Sequence, residues 1–202
     1  HEEGIPGCEG IPAIPHEEKI SSSPEQFVAG YFDKSPVTGN SMVNIPTLRL
    51  VRIFLDGEKL DLSKGKVTSY SRSLDMSCAV SERSFTWTSP SGNRTSVSFS
   101  SFLSYPRKHI YSTKICVKPL NWSGKIMFLD TFDSTGLSQK QVHFKIISNG
   151  DIGNGHFCEI RTNTSKLRAV MATSYDIPAS LKPAIFKSEL DGKKVIKNIS
   201  FS

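Results

Sequence analysis

Apolar and polar residues alternate along most of the chain after Thr47, as they do in strands that bury one face and expose the other. The clearest example is a hairpin in which residues 78–88 run out, Ser89–Asn93 turn, and residues 94–104 return. In the return arm Val97 and Phe99 share one face, while serines occupy the positions between them. Long antiparallel arms with one polar face predict a broad sheet packed on another sheet.

The same alternation predicts a series of further strands. They cover residues 48–55, 58–62, 66–74, 109–117, 125–132, 141–147, 156–161, 167–173 and 195–201. Asp56-Gly57 lies between the first two and predicts a type I′ turn, because glycine accepts a positive φ. The stretch Pro178–Leu190 is ambiguous, since its two prolines oppose a regular helix. Ten or more strands without a convincing amphipathic helix indicate an all-β sandwich or barrel.

The N-terminal segment differs from the rest of the chain in composition. Residues 1–30 are dense in glycine and proline, which interrupt helices and central strands alike, so we expect an irregular arm there. Residues 31–202 are expected to form one β-sandwich domain. The chain begins with His1 rather than methionine, so we expect that the native N-terminus is missing and that this is a fragment, a trimmed chain or a processed chain.

The net charge of +6 at pH 7 raises the question of an anionic partner. The basic residues are scattered, and the densest groups, Arg107–His109 and Lys193–Lys197, are short. This distribution favours a solvated surface, and we expect no nucleic-acid partner. No run of about 18 apolar residues is present, so we expect no membrane-spanning segment either.

Four cysteines and four glycosylation sequons point to different compartments. Cys78, Cys116 and Cys158 fall in predicted strands, whereas Cys8 does not. None of the four cysteines has the spacing of metal ligands. This favours buried free thiols and a reducing, cytoplasmic location. The sequons, at Asn93, Asn121, Asn163 and Asn198, slightly exceed the number expected by chance and keep a secreted alternative open.

No catalytic constellation can be identified in the sequence. The five histidines are isolated, and Gly150–Gly155 is interpreted as a loop between strands rather than a phosphate-binding loop. Asp130 with Asp133, and Asp75 with Glu82, could pair as in glycoside hydrolysis, although turn-capping explains them equally well. We therefore expect no catalytic residue, no metal and no cofactor. Among the exposed-aromatic candidates for sugar binding, Trp87 is better explained by core packing.

Six short segments occur in an order that points to one family. They are Glu2–Gly7, Val28–Asp33, Val43–Pro46, Arg52–Leu62, Ser69–Met76 and Pro119–Gly124. Together they resemble the N-terminal domain of the glycoside hydrolase family 65 phosphorylases, which act on maltose, kojibiose, trehalose and related α-glucosides. The resemblance covers about residues 1–135, and beyond them it extends only to the strand pattern.

The resemblance implies an antiparallel two-layer super-sandwich of the galactose mutarotase type. In the family, an (α/α)6 barrel that follows this domain holds the catalytic glutamate and the phosphate site. The chain alone is therefore expected to be inactive, with the barrel, the disaccharide, phosphate and a second subunit as partners of the whole enzyme. The candidates for a loop at the substrate mouth are Asn44, Ile45, Pro46 and Thr47, although Thr47-Leu48 replaces the family's Asn-Trp. The family segment that should precede His1, and with it the first strand, is absent from this sequence.

Two other functions stay open at this point. One is a freestanding carbohydrate-binding module, which oxidised cysteines or occupied sequons would favour. The other is a domain of a same-family α-glucoside hydrolase, in which water replaces phosphate. Phosphate dependence of the whole enzyme would separate the phosphorylase from the hydrolase.

Overall fold

The computed structural model describes residues 26–35, 39–134, 142–191 and 194–202, with Leu48–Leu50 described as backbone alone. Most of the expected N-terminal arm lies outside these residues. The described chain forms two compact units: one combines the residues up to Lys59 with Lys125–Ser202, and the other is Leu60–Gly124. Every described strand pairing is antiparallel, and no helix occurs in the described ranges, so the all-β prediction is confirmed.

The first unit contains three sheets. Its strands are β1 Phe32–Ser35, β2 Gly39–Met42, β3 Thr47–Leu55, β4 Glu58–Lys59, β9 Ile126–Asp133, β10 Phe144–Ile152, β11 Gly155–Thr162, β12 Arg168–Thr173, β13 Ala184–Ile185, β14 Glu189–Asp191 and β15 Lys194–Phe201. The largest sheet has the order β13-β15-β9-β3-β4, with β14 also paired to β15. The sheet β10-β11-β12 and the hairpin β1-β2 complete the unit.

The core of the first unit draws side chains from its two larger sheets and from residues that flank the β1-β2 hairpin. Cys158 and Ile160 alternate on β11, and they form one apolar cluster with Phe132 of β9 and Val195 of β15. The other members of the cluster are Tyr31, Val43, Ile45, Phe144 and Met171. Burying an aliphatic or aromatic side chain of this size contributes about 1.5–3 kcal/mol relative to leaving it exposed. The alternation that predicts these strands therefore also stabilises their packing.

The second unit is a four-stranded meander. Its strands are β5 Lys66–Asp75, β6 Val80–Thr88, β7 Arg94–Leu103 and β8 Tyr111–Pro119, paired in that order. One face of the central hairpin is buried, with Phe85 opposite Val97 and Trp87 opposite Thr95. The indole N–H of Trp87 donates to the carbonyl oxygens of Lys64 at 2.8 Å and Asp61 at 3.2 Å. The predictions of this hairpin and of a buried Trp87 are confirmed.

Turn chemistry explains where the predicted boundaries are right and where they are wrong. Asp56 and Gly57 have φ values of 51° and 83°, as a type I′ turn requires. The predicted return strand 58–62 stops at Lys59, because the Asp61 carboxylate accepts the N–H of Ser63 at 2.9 Å and bends the chain.

Other departures have similar local causes. The expected loop Gly150–Gly155 is shorter, since β10 continues to Ile152 and the chain turns at residues 153–154. The strands β1 and β2 were not predicted, because FDKS and GNSM each carry a single apolar residue and show no alternation. The ambiguous stretch Pro178–Leu190 contains the short strands β13 and the start of β14.

The cysteines differ in environment. All three described cysteines are free thiols, but only Cys158 is buried, so the expectation of buried thiols is wrong for Cys78 and Cys116. Cys78 lies in the turn after β5, and Cys116 lies on the polar face of β8. Cys8 lies outside the described residues.

Candidate functional site

The four residues predicted for a substrate mouth are buried in this structure. Asn44, Ile45 and Thr47 are 5% exposed or less, and Pro46 is also buried. The Asn44 side-chain oxygen accepts the N–H of Gln26 at 2.9 Å, and the N–H of Ile45 donates to the Gln26 carbonyl at 2.9 Å. The Asn44 side-chain nitrogen finds no acceptor in the described part of the chain. The segment therefore holds two stretches of backbone together, and its role at a mouth stays a prediction.

Three of the four carboxylates that could have paired for catalysis are engaged elsewhere, and the fourth, Glu82, lines a concavity of the second unit. Asp130 and Asp133 are three residues apart on β9 and point to opposite faces of their sheet. Asp133 lies 3.1 Å from the Lys194 ammonium. Asp75 accepts hydrogen bonds from the Ser77 hydroxyl at 2.6 Å and the Ser77 N–H at 2.8 Å in a turn, and these bonds hold the pKa of Asp75 below its usual value. The residues the structure describes contain no group of three side chains placed to hold a metal ion.

A cluster of buried titratable groups lies in the first unit, between β9, β11 and the end of β12. The Tyr175 hydroxyl donates to the Asp130 carboxylate at 2.7 Å. The same hydroxyl is 2.9 Å from His156 Nδ1, and the Thr173 hydroxyl is 3.0 Å from that nitrogen. Asp130 is 4% exposed and His156 is fully buried. The cluster forms because Asp130 and His156 occupy inward positions on strands of two different sheets.

Two hydroxyl groups contact the buried ring of His156. The Tyr175 hydroxyl donates its single proton to Asp130, and His156 Nδ1 is within hydrogen-bond distance of both the Tyr175 and the Thr173 hydroxyl oxygens. His156 Nε2 is buried without a partner among the described residues. The His156 ring packs 4.5 Å from the ring of Phe132, centroid to centroid. A charged imidazolium would therefore place its Nε2–H in an apolar environment, with no hydrogen-bond acceptor among the described residues.

The pKa values in the cluster follow from this burial. Burial lowers the pKa of His156 to about 4, so the imidazole is neutral at physiological pH and its 4.0 Å approach to Asp130 is not an ion pair. Burial raises the pKa of Asp130, although the Tyr175 and Thr173 hydroxyls oppose the change. Burial and the Asp130 charge raise the pKa of Tyr175. All three shifts show that burial favours the neutral form of the side chain, as expected for a hydrogen-bonded polar cluster inside a core.

A neighbouring ion pair joins two sheets of the same unit. Lys197 of β15 is opposite Asp130 in the register, but its ammonium instead contacts the Asp151 carboxylate of β10 at 2.6 Å. Lys197 is 4% exposed, and this contact is the first cause of the lowered pKa of Asp151. Sequence reasoning missed both clusters, because their members are isolated along the chain and the strand register alone brings them together.

The second unit presents a polar face with a concavity of about 340 Å³. Its lining is dominated by hydroxyl groups from β5, β6 and β7, namely Ser71, Ser73, Ser84, Ser98 and Ser100. The aromatic side chains Phe85 and Trp87 are on the opposite, buried face of that sheet. The lining also includes Phe99, whose ring lies 4.4 Å beneath the Arg83 guanidinium, and the charged side chains of Glu82 and Lys114.

Comparison with known proteins identifies the family. The model of the glycosyl hydrolase family 65 N-terminal domain matches residues 11–201. The chain belongs to glycosyl hydrolase family 65. Within the family, it is 29% identical over 170 residues to the kojibiose phosphorylase of Halothermothrix orenii, and 34% identical over 95 residues to the α,α-trehalose phosphorylase of Thermoanaerobacter brockii. These alignments cover 84% and 47% of the chain but 22% and 12% of the respective relatives.

A solved structure supports the family fold. It is assigned as a kojibiose phosphorylase from the human microbiome, and it matches with a TM-score of 0.67 at 20% identity, covering 86% of this chain. The matched part is 25% of that protein. The likeness confirms the antiparallel super-sandwich expected from the family resemblance. The family-65 chain described here thus spans about a quarter or less of the relatives it matches.

No helix in its described part is long and apolar enough to cross a membrane.

Proposed function

We propose that this chain is the non-catalytic N-terminal domain of an inverting α-glucoside phosphorylase, where it packs on the catalytic barrel and supports dimerisation. The observation that carries the proposal is the match of the family-65 N-terminal domain to residues 11–201, in a chain that covers 22% of a kojibiose phosphorylase. In the complete enzyme, a barrel glutamate would protonate the leaving oxygen while phosphate attacks the anomeric carbon. The disaccharide and phosphate would reach this domain only through that barrel.

The state of the carboxylates supports a non-catalytic role. Inverting chemistry on a glycoside needs an acid that faces the substrate across an open cleft. Asp130 is instead buried against Tyr175, and Asp133 is paired with Lys194. The polar clusters of the first unit therefore act in holding its sheets together.

The segment Asn44–Thr47 is proposed to support the substrate mouth from beneath rather than to contact the sugar. It is buried, and it fixes the backbone at Gln26 through two hydrogen bonds. The Asn44 side-chain nitrogen, which has no acceptor among residues that the structure describes, would donate to a carbonyl from another part of the enzyme. A cytoplasmic location is also proposed, because all three described cysteines are free thiols.

The test compares two polypeptides. The purified 202-residue chain and the product of its complete reading frame are each incubated with kojibiose, trehalose or maltose, with and without phosphate. We expect no turnover by the 202-residue chain, and phosphate-dependent release of β-glucose 1-phosphate by the complete product. Phosphorolysis by the short chain would refute the non-catalytic role. Phosphate-independent release of glucose by the complete product would instead establish the hydrolase alternative.

A further inference from the structure

The outer face of the sheet β10-β11-β12 carries cations side by side. Lys145 is the register partner of Arg161, and Arg161 is in turn the partner of Arg168, so three positive charges lie on one rung across three strands. All three side chains are exposed, whereas Phe144 and Ile160, their neighbours in sequence, are buried. Residues directly opposite each other on antiparallel strands share a face, so these cations are close neighbours.

The charges on this rung are unevenly compensated. Arg168 donates to the Glu159 carboxylate through Nε at 2.7 Å and through a second guanidinium nitrogen. No carboxylate in the described ranges lies within salt-bridge distance of Lys145 or Arg161. Like charges directly opposite each other weaken a sheet. An anion between Lys145 and Arg161 would remove this repulsion.

The same two cations line a concavity of about 230 Å³ together with Thr162, Asn163 and Lys166. The Lys166 ammonium donates to the Asn163 carbonyl at 2.5 Å, which leaves two of its three N–H donors for a ligand. The volume is below the range of about 300–1,000 Å³ that is typical of sites for drug-sized molecules. A small anion matches both the size and the charge.

The turn that carries Lys166 is fixed from beneath by a buried carboxylate. Asp33 is 2% exposed and accepts the N–H of Thr164 at 3.1 Å and the N–H of Ser165 at 2.8 Å. Lys166 has a φ of 61°, in the left-handed region that a non-glycine residue adopts at an energetic cost. The surrounding hydrogen bonds thus hold Lys166 in place before any ligand arrives, which reduces the entropy lost on binding.

We propose that Lys145, Arg161 and Lys166 form a binding site for a phosphoryl oxyanion, either inorganic phosphate or the phosphate of a small sugar ester. The guanidinium fork of Arg161 can bind two oxygens of one phosphoryl group, and the two ammonium groups supply point charges. Three cations suit a phosphoryl group of charge about −1.5 to −2 better than a single carboxylate. The site does not depend on the proposed phosphorylase function, because it is built from residues of this chain alone.

The test is an amide NMR titration of the 202-residue chain at constant ionic strength, with chloride replaced by inorganic phosphate or by glucose 1-phosphate. We expect saturable shifts confined to Lys145 and residues 161–166. Arg161→Gln should weaken phosphate binding about tenfold, and Lys166→Asn, which tolerates the positive φ, about threefold to fivefold. The matched control is Lys118→Gln, which removes an exposed lysine from β8 and should leave the affinity unchanged.

The two ligands separate the sources of the anion. Equal affinity for both identifies inorganic phosphate as sufficient, and tighter binding of glucose 1-phosphate identifies the ester. A response to neither ligand would overturn the proposal, as would shifts spread evenly over all lysines or an unchanged affinity of Arg161→Gln. A charge-reversal variant adds a readout in the absence of phosphate: Arg161→Glu should raise the melting temperature in chloride buffer. The same variant should abolish the response to added phosphate. A lower melting temperature with phosphate binding retained would contradict the site.

Discussion

Protonation of His156 is expected to weaken the first unit in a defined acid range. Burial lowers the pKa of His156 from its ordinary value of 6.5 to about 4. The unfolded chain therefore binds a proton more readily than the folded chain between these two values. The stability that depends on neutral His156 is present above about pH 6.5 and is lost as the pH falls towards 4.

The size of the effect follows from the two pKa values. A pKa difference of about 2.5, from 6.5 to 4, corresponds to about 3 kcal/mol at about 1.36 kcal/mol per pKa unit. About 2 kcal/mol of this is lost by pH 5, where the unfolded imidazole is almost fully charged and the folded one is still neutral. The raised pKa of Asp130 acts in the opposite direction, because its protonated form contributes to the stability of the folded chain and this contribution is lost as the pH rises above about 3.9. The comparison must therefore isolate His156.

The perturbation that isolates it is His156→Gln, with His109→Gln as the control because His109 is exposed. Urea unfolding at pH 7.5 and pH 5 is followed on amide resonances of β9, β11 and β15. The wild-type chain and His109→Gln should each lose about 2 kcal/mol more than His156→Gln between these pH values. Both tryptophans, Trp87 and Trp122, belong to the second unit, so their fluorescence supplies an internal reference.

Two results would refute this reasoning. One is the same pH dependence for wild type and His156→Gln. The other is a direct NMR titration of the His156 ring with a midpoint near 6.5, because it would show that the imidazole accepts its second proton without cost. In that case Nε2 would have a partner that the described contacts do not include.

Three further substitutions test other contacts by urea unfolding. Gly65→Ala places a Cβ 2.2 Å from the Thr88 carbonyl oxygen, at a position whose φ is 78°. This change should destabilise the second unit by at least about 1–3 kcal/mol, measured by tryptophan fluorescence. An unchanged unfolding midpoint would contradict the described turn. Tyr175→Phe removes the 2.7 Å hydrogen bond to Asp130 and should cost about 1.5–3 kcal/mol at pH 7. A loss below about 0.5 kcal/mol would show that the Thr173 hydroxyl alone satisfies the carboxylate. Asp33→Asn should cost about 1–3 kcal/mol at pH 7. Burial opposes ionisation of Asp33, but backbone N–H donors outweigh it and hold the pKa of Asp33 below its ordinary value. The cost of Asp33→Asn should therefore shrink as the pH falls below about 4. A cost independent of pH would be inconsistent with an ionised acceptor.

The strands were predictable from the sequence because their information is local. Alternation along Arg94–Leu103 identifies both that strand and its buried face. Asp56-Gly57 specifies the turn between β3 and β4 by backbone conformation alone. The strand that ends at Lys59 was predicted too long, because a side-chain acceptor at Asp61 competes with strand pairing. The hairpin β1-β2 has no alternation, and it is defined by contacts with distant parts of the chain.

The polar clusters could not be predicted, for the same physical reason. Asp130, His156 and Tyr175 are separated by 19 residues or more and meet because strands of different sheets place them in one core. A shift of one residue in register would turn Asp130 and His156 to the other face of their strands. The basic rung shows the same effect, since Lys145 and Arg161 look scattered in sequence and become direct neighbours across two strands.

The central claim, that this domain supports a catalytic barrel, is tested most directly by analytical ultracentrifugation of separately purified parts. The 202-residue chain is mixed with the remaining portion of its complete reading frame, and the thermal stability and phosphorolytic activity of that portion are measured with and without the chain. The account predicts a 1:1 complex of the two parts, in which the catalytic portion is more stable and more active than alone. A catalytic portion that sediments separately, and is equally stable and active without the chain, would contradict it.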